Sequence, residues 1–254
     1  MRLKTRLTEK LGIEHPILSA PMNVFAGGRL AAAVSDAGGL GLIGGGYGDA
    51  DWLEAQWAAA GSARVGCGFI TWSMARDPKL LDRVLAKRPA AVMLSFGDLE
   101  PHASNIKALG VPLIAQVQGI NYLREAVEAG ADIIVAEGCE AGGHSGHRGL
   151  FTLVPEAADY LAKHSPATIL VAAGGVGDGR GLAAALMLGA EGVLVGTRFV
   201  ASNESEASDG FRRAIIRADG DSTVKSRSID VVRKRYWPNP EFVVHVLNNR
   251  FVAQ

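Results

Sequence analysis

The chain has 254 residues with 26 basic and 26 acidic side chains, so its formal net charge is zero at pH 7. That balance removes the electrostatic case for nucleic acid or an anionic membrane surface, and 48% hydrophobic against 20% charged residues is the composition of a globular protein with a substantial core. Two cysteines, Cys67 and Cys139, are too few for a disulfide framework, no run reaches the about 18 apolar residues of a membrane helix, and residues 1–10 alternate charge with apolar groups unlike a secretory signal, so a cytoplasmic protein is expected.

In chain order the sequence repeats a short apolar run, a glycine or polar turn and a helix-like segment, roughly every 20–30 residues. Residues 16–20 form the first expected strand, with a helix over 29–36. Then come strand 40–43 and helix 51–60, strand 64–69 and helix 78–87, strand 91–95 and helix 101–109, and strand 112–116 and helix 121–128. Strand 132–136 precedes helix 154–163, strand 168–172 precedes helix 179–188, and strand 192–195 takes 209–217 as its helix. Alternation of this kind implies a parallel sheet, and eight units are the count of a (β/α)8 TIM barrel. Glu128-Ala129-Gly130-Ala131-Asp132 and Leu188-Gly189-Ala190-Glu191-Gly192 repeat one helix-stop, strand-start pattern. Residues 1–200 are read as the main barrel, and 201–254 as its last helix and a short C-terminal extension packing on it, within a single domain. A doubly wound sheet has one argument, the G-x-G-x-x-G match over residues 39–44, but the match straddles an expected strand where a dinucleotide motif would follow one and open a helix.

Chemistry concentrates after the sixth strand, in Glu137-Gly138-Cys139-Glu140-Ala141-Gly142-Gly143-His144-Ser145-Gly146. Residues just past a barrel strand's C-terminal end face the active-site mouth, glycines there admit close backbone approach to a ligand, and an imidazole exchanges protons near neutral pH. His144 is therefore the candidate general base. Two more glycine turns, residues 173–181 and Gly196-Thr197-Arg198, follow the seventh and eighth strands, where barrels bind phosphate through backbone N–H groups and a helix N-terminus. Gly174, Gly175, Gly196 and Thr197 are the candidate phosphate holders; a substrate phosphate, a nucleotide and flavin mononucleotide (FMN) all fit that description. Cys139, Glu140, His144 and His147 could be drawn as a metal cluster, but the short Cys-x-x-Cys pairing is absent, and no metal is expected. Trp72, Phe96 and Met22, near strand ends, are candidates for an apolar pocket wall.

Pro16-Ile17-Leu18-Ser19-Ala20-Pro21-Met22, the glycines from Gly38 to Gly48, the histidine loop, residues 172–181 and Gly196-Thr197-Arg198-Phe199 together resemble the nitronate monooxygenase family along nearly the whole chain. The resemblance implies an FMN-dependent barrel. It lays Ala20, Pro21, Met22 and Gln116 along the isoalloxazine, and sets Gly142, Gly143, Gly174, Gly175, Gly196 and Thr197 at the ring edge and phosphate, with His144 as the base. Three positions depart from the family pattern. Gly68-Phe69 stand where many members carry asparagine, Glu137 joins the cofactor-binding positions where glutamine is usual, and the tail is short. A Glu137 carboxylate would accept hydrogen bonds without donating them and disfavour an anionic reduced flavin. The implied function is FMN-dependent oxidation of small nitronates or nitroalkanes by dioxygen, with NADH:quinone reduction, enoyl-thioester reduction and a non-catalytic flavin-binding barrel as alternatives. The substrate is a small molecule, and the sequence is compatible with a homo-oligomer.

Overall fold

The computed structural model describes residues 3–74, 76–77 and 79–252. Helix α1 (Arg6–Leu11) precedes strand β1 (Ile17–Ser19), and a one-turn 3-10 helix (Asn23–Phe25) leads to α2 (Gly28–Asp36). There follow β2 (Leu42–Gly46), α3 (Ala50–Ala59), β3 (Gly66–Ile70), α4 (Thr71–Met74), α5 (Leu80–Ala86), β4 (Val92–Ser95), α6 (Glu100–Ala108), β5 (Leu113–Val117) and α7 (Ile120–Glu128). The chain continues through β6 (Ile133–Glu137), the short β7 (Gly143–Ser145), α8 (Leu150–His164), β8 (Ile169–Ala173), α9 (Gly179–Met187), β9 (Val193–Val195), α10 (Thr197–Val200) and α11 (Asp209–Arg217). The tail adds β10 (Thr223–Ser226), α12 (Ser228–Val232) and β11 (Val243–Leu247).

Eight parallel strands run in the order β1-β9-β8-β6-β5-β4-β3-β2, and a parallel bridge between Leu18 and Leu40 draws the two edges together into a nearly closed barrel. Side chains alternate along each strand, so the barrel has two separate cores. Leu18, Met93, Ile114, Ile133, Val135, Val171 and Leu194 fill the interior, with Leu7 and Leu11 of α1 packed in the same cluster. Their neighbours Val92, Leu94, Ala115, Ile134, Ala136, Leu170 and Ala172 face outward, under Leu81, Val84, Ile106, Leu123, Leu153 and Val154 of the helices. By this parity Gln116 and Glu137 continue the inward rows of β5 and β6 and cap the interior at its C-terminal end.

The expected strands and helices are present with shifted ends. Helix 154–163 starts earlier, at Leu150, because both Glu140 carboxylate oxygens accept its N–H at 2.9 and 3.1 Å; Pro155 then lies inside the helix. Strand 40–43 becomes Leu42–Gly46, running through glycines that read as a turn. They are packing positions: a Cβ on Gly44 would lie 2.4 Å from the Asn23 carbonyl oxygen, and one on Gly45 2.4 Å from the Phe69 ring. The expected helix start at Pro78 lies outside the described residues. A second sheet, antiparallel in the order β10-β11-β7, has no counterpart in the sequence reading. No helix among the described residues is long and apolar enough to cross a membrane.

Gly41 shows how tightly the helices sit on the barrel, since a Cβ there would fall 1.9 Å from the Ala31 carbonyl oxygen of α2. Gly41→Ala is expected to destabilise the fold by about 3 kcal/mol, the upper range for overpacking, read as a lower urea midpoint at unchanged m-value.

Candidate active site

At the mouth of the barrel, Glu137 is buried with 7% of its surface exposed. Gln116 Nε2 and Gln118 Nε2 each donate to its Oε2 at 3.0 Å. The other carboxyl oxygen engages no hydrogen bond among the described residues. The nearest cation, Lys225 on β10, donates instead to Ser145 Oγ at 3.2 Å and to the Gly146 carbonyl at 3.0 Å. Burial without an ion pair penalises the carboxylate form, and the Glu137 pKa is pushed up to about 8 against the smaller opposing pull of Gln118 and Lys225.

Around that mouth the histidine loop is held as a strand. β7 pairs antiparallel with β11, His144 opposite Val244 and Ser145 opposite Val243, and His245 Nδ1 lies 3.2 Å from the Ala141 carbonyl. The tail that supplies β11 also supplies partners for His144. Asp230 Oδ2 lies 2.8 Å from His144 Nε2, and the Trp237 indole stacks on the imidazole with centroids 3.7 Å apart and planes 20° from parallel. The hydrogen bond to a carboxylate places the proton of a neutral imidazole on Nε2 and leaves Nδ1 as the lone-pair nitrogen. His144 has 12% of its side chain exposed, and burial lowers its pKa below the ordinary 6.5 despite the opposing pull of Asp230. The ring is therefore a neutral base at pH 7.

Three glycine-bearing segments converge beside this pair. A Cβ on Gly142 would lie 2.5 Å from Thr197 Oγ1, one on Gly174 3.0 Å from the Gly138 carbonyl, and one on Gly196 3.3 Å from Met22 Sδ. The β8 turn carries Gly174 at φ 106° and Gly175 at φ 69°, values that L side chains rarely adopt. Beyond it, Gly177 and Gly179 have open space where a side chain would be. An exposed backbone cradle with this shape fits a phosphate, and the start of α10 at Thr197 lies at its edge. The first turn of α9 is not free for that purpose, because Asp178 caps it through Arg180 N at 2.9 Å. The Gly68 departure has a steric cause: a Cβ there would sit 2.3 Å from the Pro21 ring, so Pro21 fills the space an asparagine side chain would take.

Trp237 also lines a groove of about 630 Å³ together with Trp72, Phe96, Tyr122 and Phe242, with Asp98, Glu100, Glu125 and Glu128 around them. Phe96 and Trp72 thus take the wall positions expected of them, while Met22 lies against Gly196 instead.

The sequence profile of the nitronate monooxygenase family matches residues 4–65 and 68–239. The chain belongs to that family. It is an oxidoreductase by membership, and a flavin is the cofactor the family implies. Among its relatives, nitronate monooxygenase npaC of Metarhizium robertsii is 39% identical over 92% of this chain and 72% of its own length. A Mycobacterium tuberculosis (3aS,4S,5R,7aS)-5-hydroxy-7a-methyl-1-oxo-octahydro-1H-indene-4-carboxyl-CoA dehydrogenase is 36% identical, covering 91% of this chain and 65% of its own. Of the solved structures, FabK from Thermotoga maritima superposes with a TM-score of 0.85 at 33% identity, over 99% of this chain and 76% of that one. The chain thus spans about two thirds to three quarters of these proteins.

The fold brings together His144, Glu137, Gln116, and the glycines at 142, 174 and 196 with Thr197. Cys139 and His147 stand apart from any such grouping: the Cys139 N–H is bound to the Arg148 carbonyl at 2.7 Å, and Glu140 is spent on the α8 cap. Asp230, Trp237, Lys225 and Gln118 were missed. Gln118 alone carried a signal, two residues past Gln116 and just beyond the end of β5; the other three come from a tail without strand or helix period.

Because the folded Glu137 pKa of about 8 exceeds the unfolded value of 4.5, unfolding releases a proton between those limits. Stability conferred by the neutral acid is complete below the lower value and falls as pH rises to the upper, by at most about 1.4 kcal/mol per pH unit. Urea denaturation from pH 5 to 8 is expected to show that slope in the native protein and its loss in Glu137→Gln.

Proposed function

We propose that the protein binds FMN noncovalently and oxidises small nitroalkanes or nitronates with dioxygen. The observation that carries this reading is the placement of a neutral imidazole, with Nδ1 free of hydrogen bonds among the described residues, beside three converging glycine segments. Backbone at Gly174, Gly175, Gly196 and Thr197 would hold the phosphate. Ala20, Pro21, Met22, Gln116, Glu137, Gly142 and Gly143 would line the ring system. When bound, the flavin would supply acceptance of electrons from substrate and their delivery to dioxygen.

The chain's own residues account for the proton. His144 Nδ1 takes the α-proton of a neutral nitroalkane. Asp230, fixed on Nε2–H, holds the tautomer and stabilises the imidazolium that results. Trp237 stacked on the ring excludes water from one face. A thioester reading is less well supported, although one relative bears the name of a coenzyme A thioester dehydrogenase. The groove beside Trp237 has four carboxylates and no lysine or arginine in its lining, which opposes a ligand carrying several phosphates.

Denaturing the purified protein should release FMN, and Gly175→Val, a β-branched residue at φ 69°, should weaken FMN binding at least tenfold. His144→Ala should retain bound FMN and lose about a hundredfold to ten-thousandfold in turnover of neutral nitroalkane, with a smaller loss on the pre-ionised nitronate. Equal losses on both would recast His144 as an orienting group. In the native protein, kcat/KM for nitroalkane should fall with acid only below the ordinary imidazole value of 6.5, because His144 must be neutral to act.

A further inference from the structure

Among the described residues Glu137 is the one buried acid of the barrel interior, and its surroundings treat its two oxygens differently. Oε2 receives both amide N–H donors, from Gln116 and Gln118, each at 3.0 Å. Oε1 has no partner among the described residues. Around it, Gln116 of β5 and Gln118 just past that strand present uncharged amides, β8 presents Ala173 in register with Glu137, and β10 presents Lys225, whose Nζ donates to Ser145 and Gly146. A carboxylate here would be a buried charge without an ion pair. A carboxylic acid has its acceptor oxygen satisfied twice and one O–H left to donate.

Resting on the flavin reading above, we propose that Glu137 works as a neutral acid whose Oε1–H donates a hydrogen bond to an acceptor on the bound flavin. Direction and burial agree, since Glu137 continues the inward row of Ile133 and Val135 to the mouth of the barrel, and its strand neighbour Ala173 leads directly into the Gly174-Gly175 turn. With Glu137 neutral, this side of the mouth holds no buried negative charge to oppose an anionic form of the ring. The usual assumption that glutamate there only accepts hydrogen bonds is thereby reversed. The proton stays on Glu137 while the hydrogen bond lasts, and no electron passes through it.

Two measurements test this. The first needs no flavin: the infrared difference between native apoprotein and Glu137→Gln apoprotein should contain a protonated carboxyl C=O band at pH 7 that disappears on titration near pH 8. The second is the FMN dissociation constant between pH 6.5 and 9.5. In the native protein it should rise towards tenfold per pH unit once the acid ionises, as one linked proton requires. Glu137→Gln, which keeps an N–H donor and shares the phosphate titration of FMN, should bind within about threefold of the native protein at pH 6.5 and stay flat above pH 8. Glu137→Leu, without a donor, should bind at least tenfold more weakly at pH 6.5. A missing carbonyl band at pH 7, or parallel pH profiles for the native and glutamine forms, overturns the inference. FMN binding by none of the proteins at any pH, with the band present, overturns the flavin reading and the hydrogen bond with it.

Discussion

The pairing of Val243–His245 with Gly143–Ser145 is the contact on which the site depends. Without it the histidine loop would be a glycine-rich connection after a barrel strand, free to move and open to water. With it, His144 becomes a strand residue whose neighbours are set by register. The same tail carries Lys225 beneath Ser145, Asp230 to the imidazole and Trp237 over it. Arg235 lies 4.3 Å over the Tyr47 ring and Trp237 packs at 5.6 Å against Trp72, so the tail is also anchored across the rim, on the β2 and β3 side.

Burial acts on the two titratable groups of the mouth in opposite directions and leaves both neutral at pH 7. It lowers the pKa of His144, whose charged form is the cation, and raises that of Glu137, whose charged form is the anion. Their partners differ accordingly. His144 has a carboxylate, which fixes a tautomer without restoring the charge, and Glu137 has two amides, which satisfy an oxygen without paying for a negative one. Among the described residues the charged groups that act on them are Asp230 and Arg233 at His144 and Lys225 at Glu137.

Glycine serves two unlike purposes here. At Gly41 and Gly68 it permits contact: α2 lies against one, and the Pro21 ring occupies the inward space of the other. At Gly174 and Gly175 it permits a left-handed backbone conformation packed against residues 138–141, and open space begins only beyond them, at Gly177 and Gly179. The first kind lets α2 and the segment after β1 pack directly against the barrel strands, and the second lets the chain turn sharply at the end of β8.

Strand and helix order was legible from the chain because each strand buries both faces and each helix buries one, and those two periods are written in the positions of Ile133, Ile134, Val135 and Leu170 as plainly as in those of Leu123 and Ala126. His144 and the glycine turns were legible for the same reason, since a residue placed just after a barrel strand has its location fixed by local order. The ends of β2 and α8 were not, because Asn23 and Glu140, distant in sequence or outside the element, decide them. The sequence by itself determined the barrel and the positions of His144 and the glycine turns at its mouth. Only the tertiary structure decided that Asp230 and Trp237 reach His144 across 86 and 93 positions of chain, and that the Glu137 carboxyl is buried against two amides, since contacts between remote segments and the loss of water around a carboxyl have no periodic trace in a sequence.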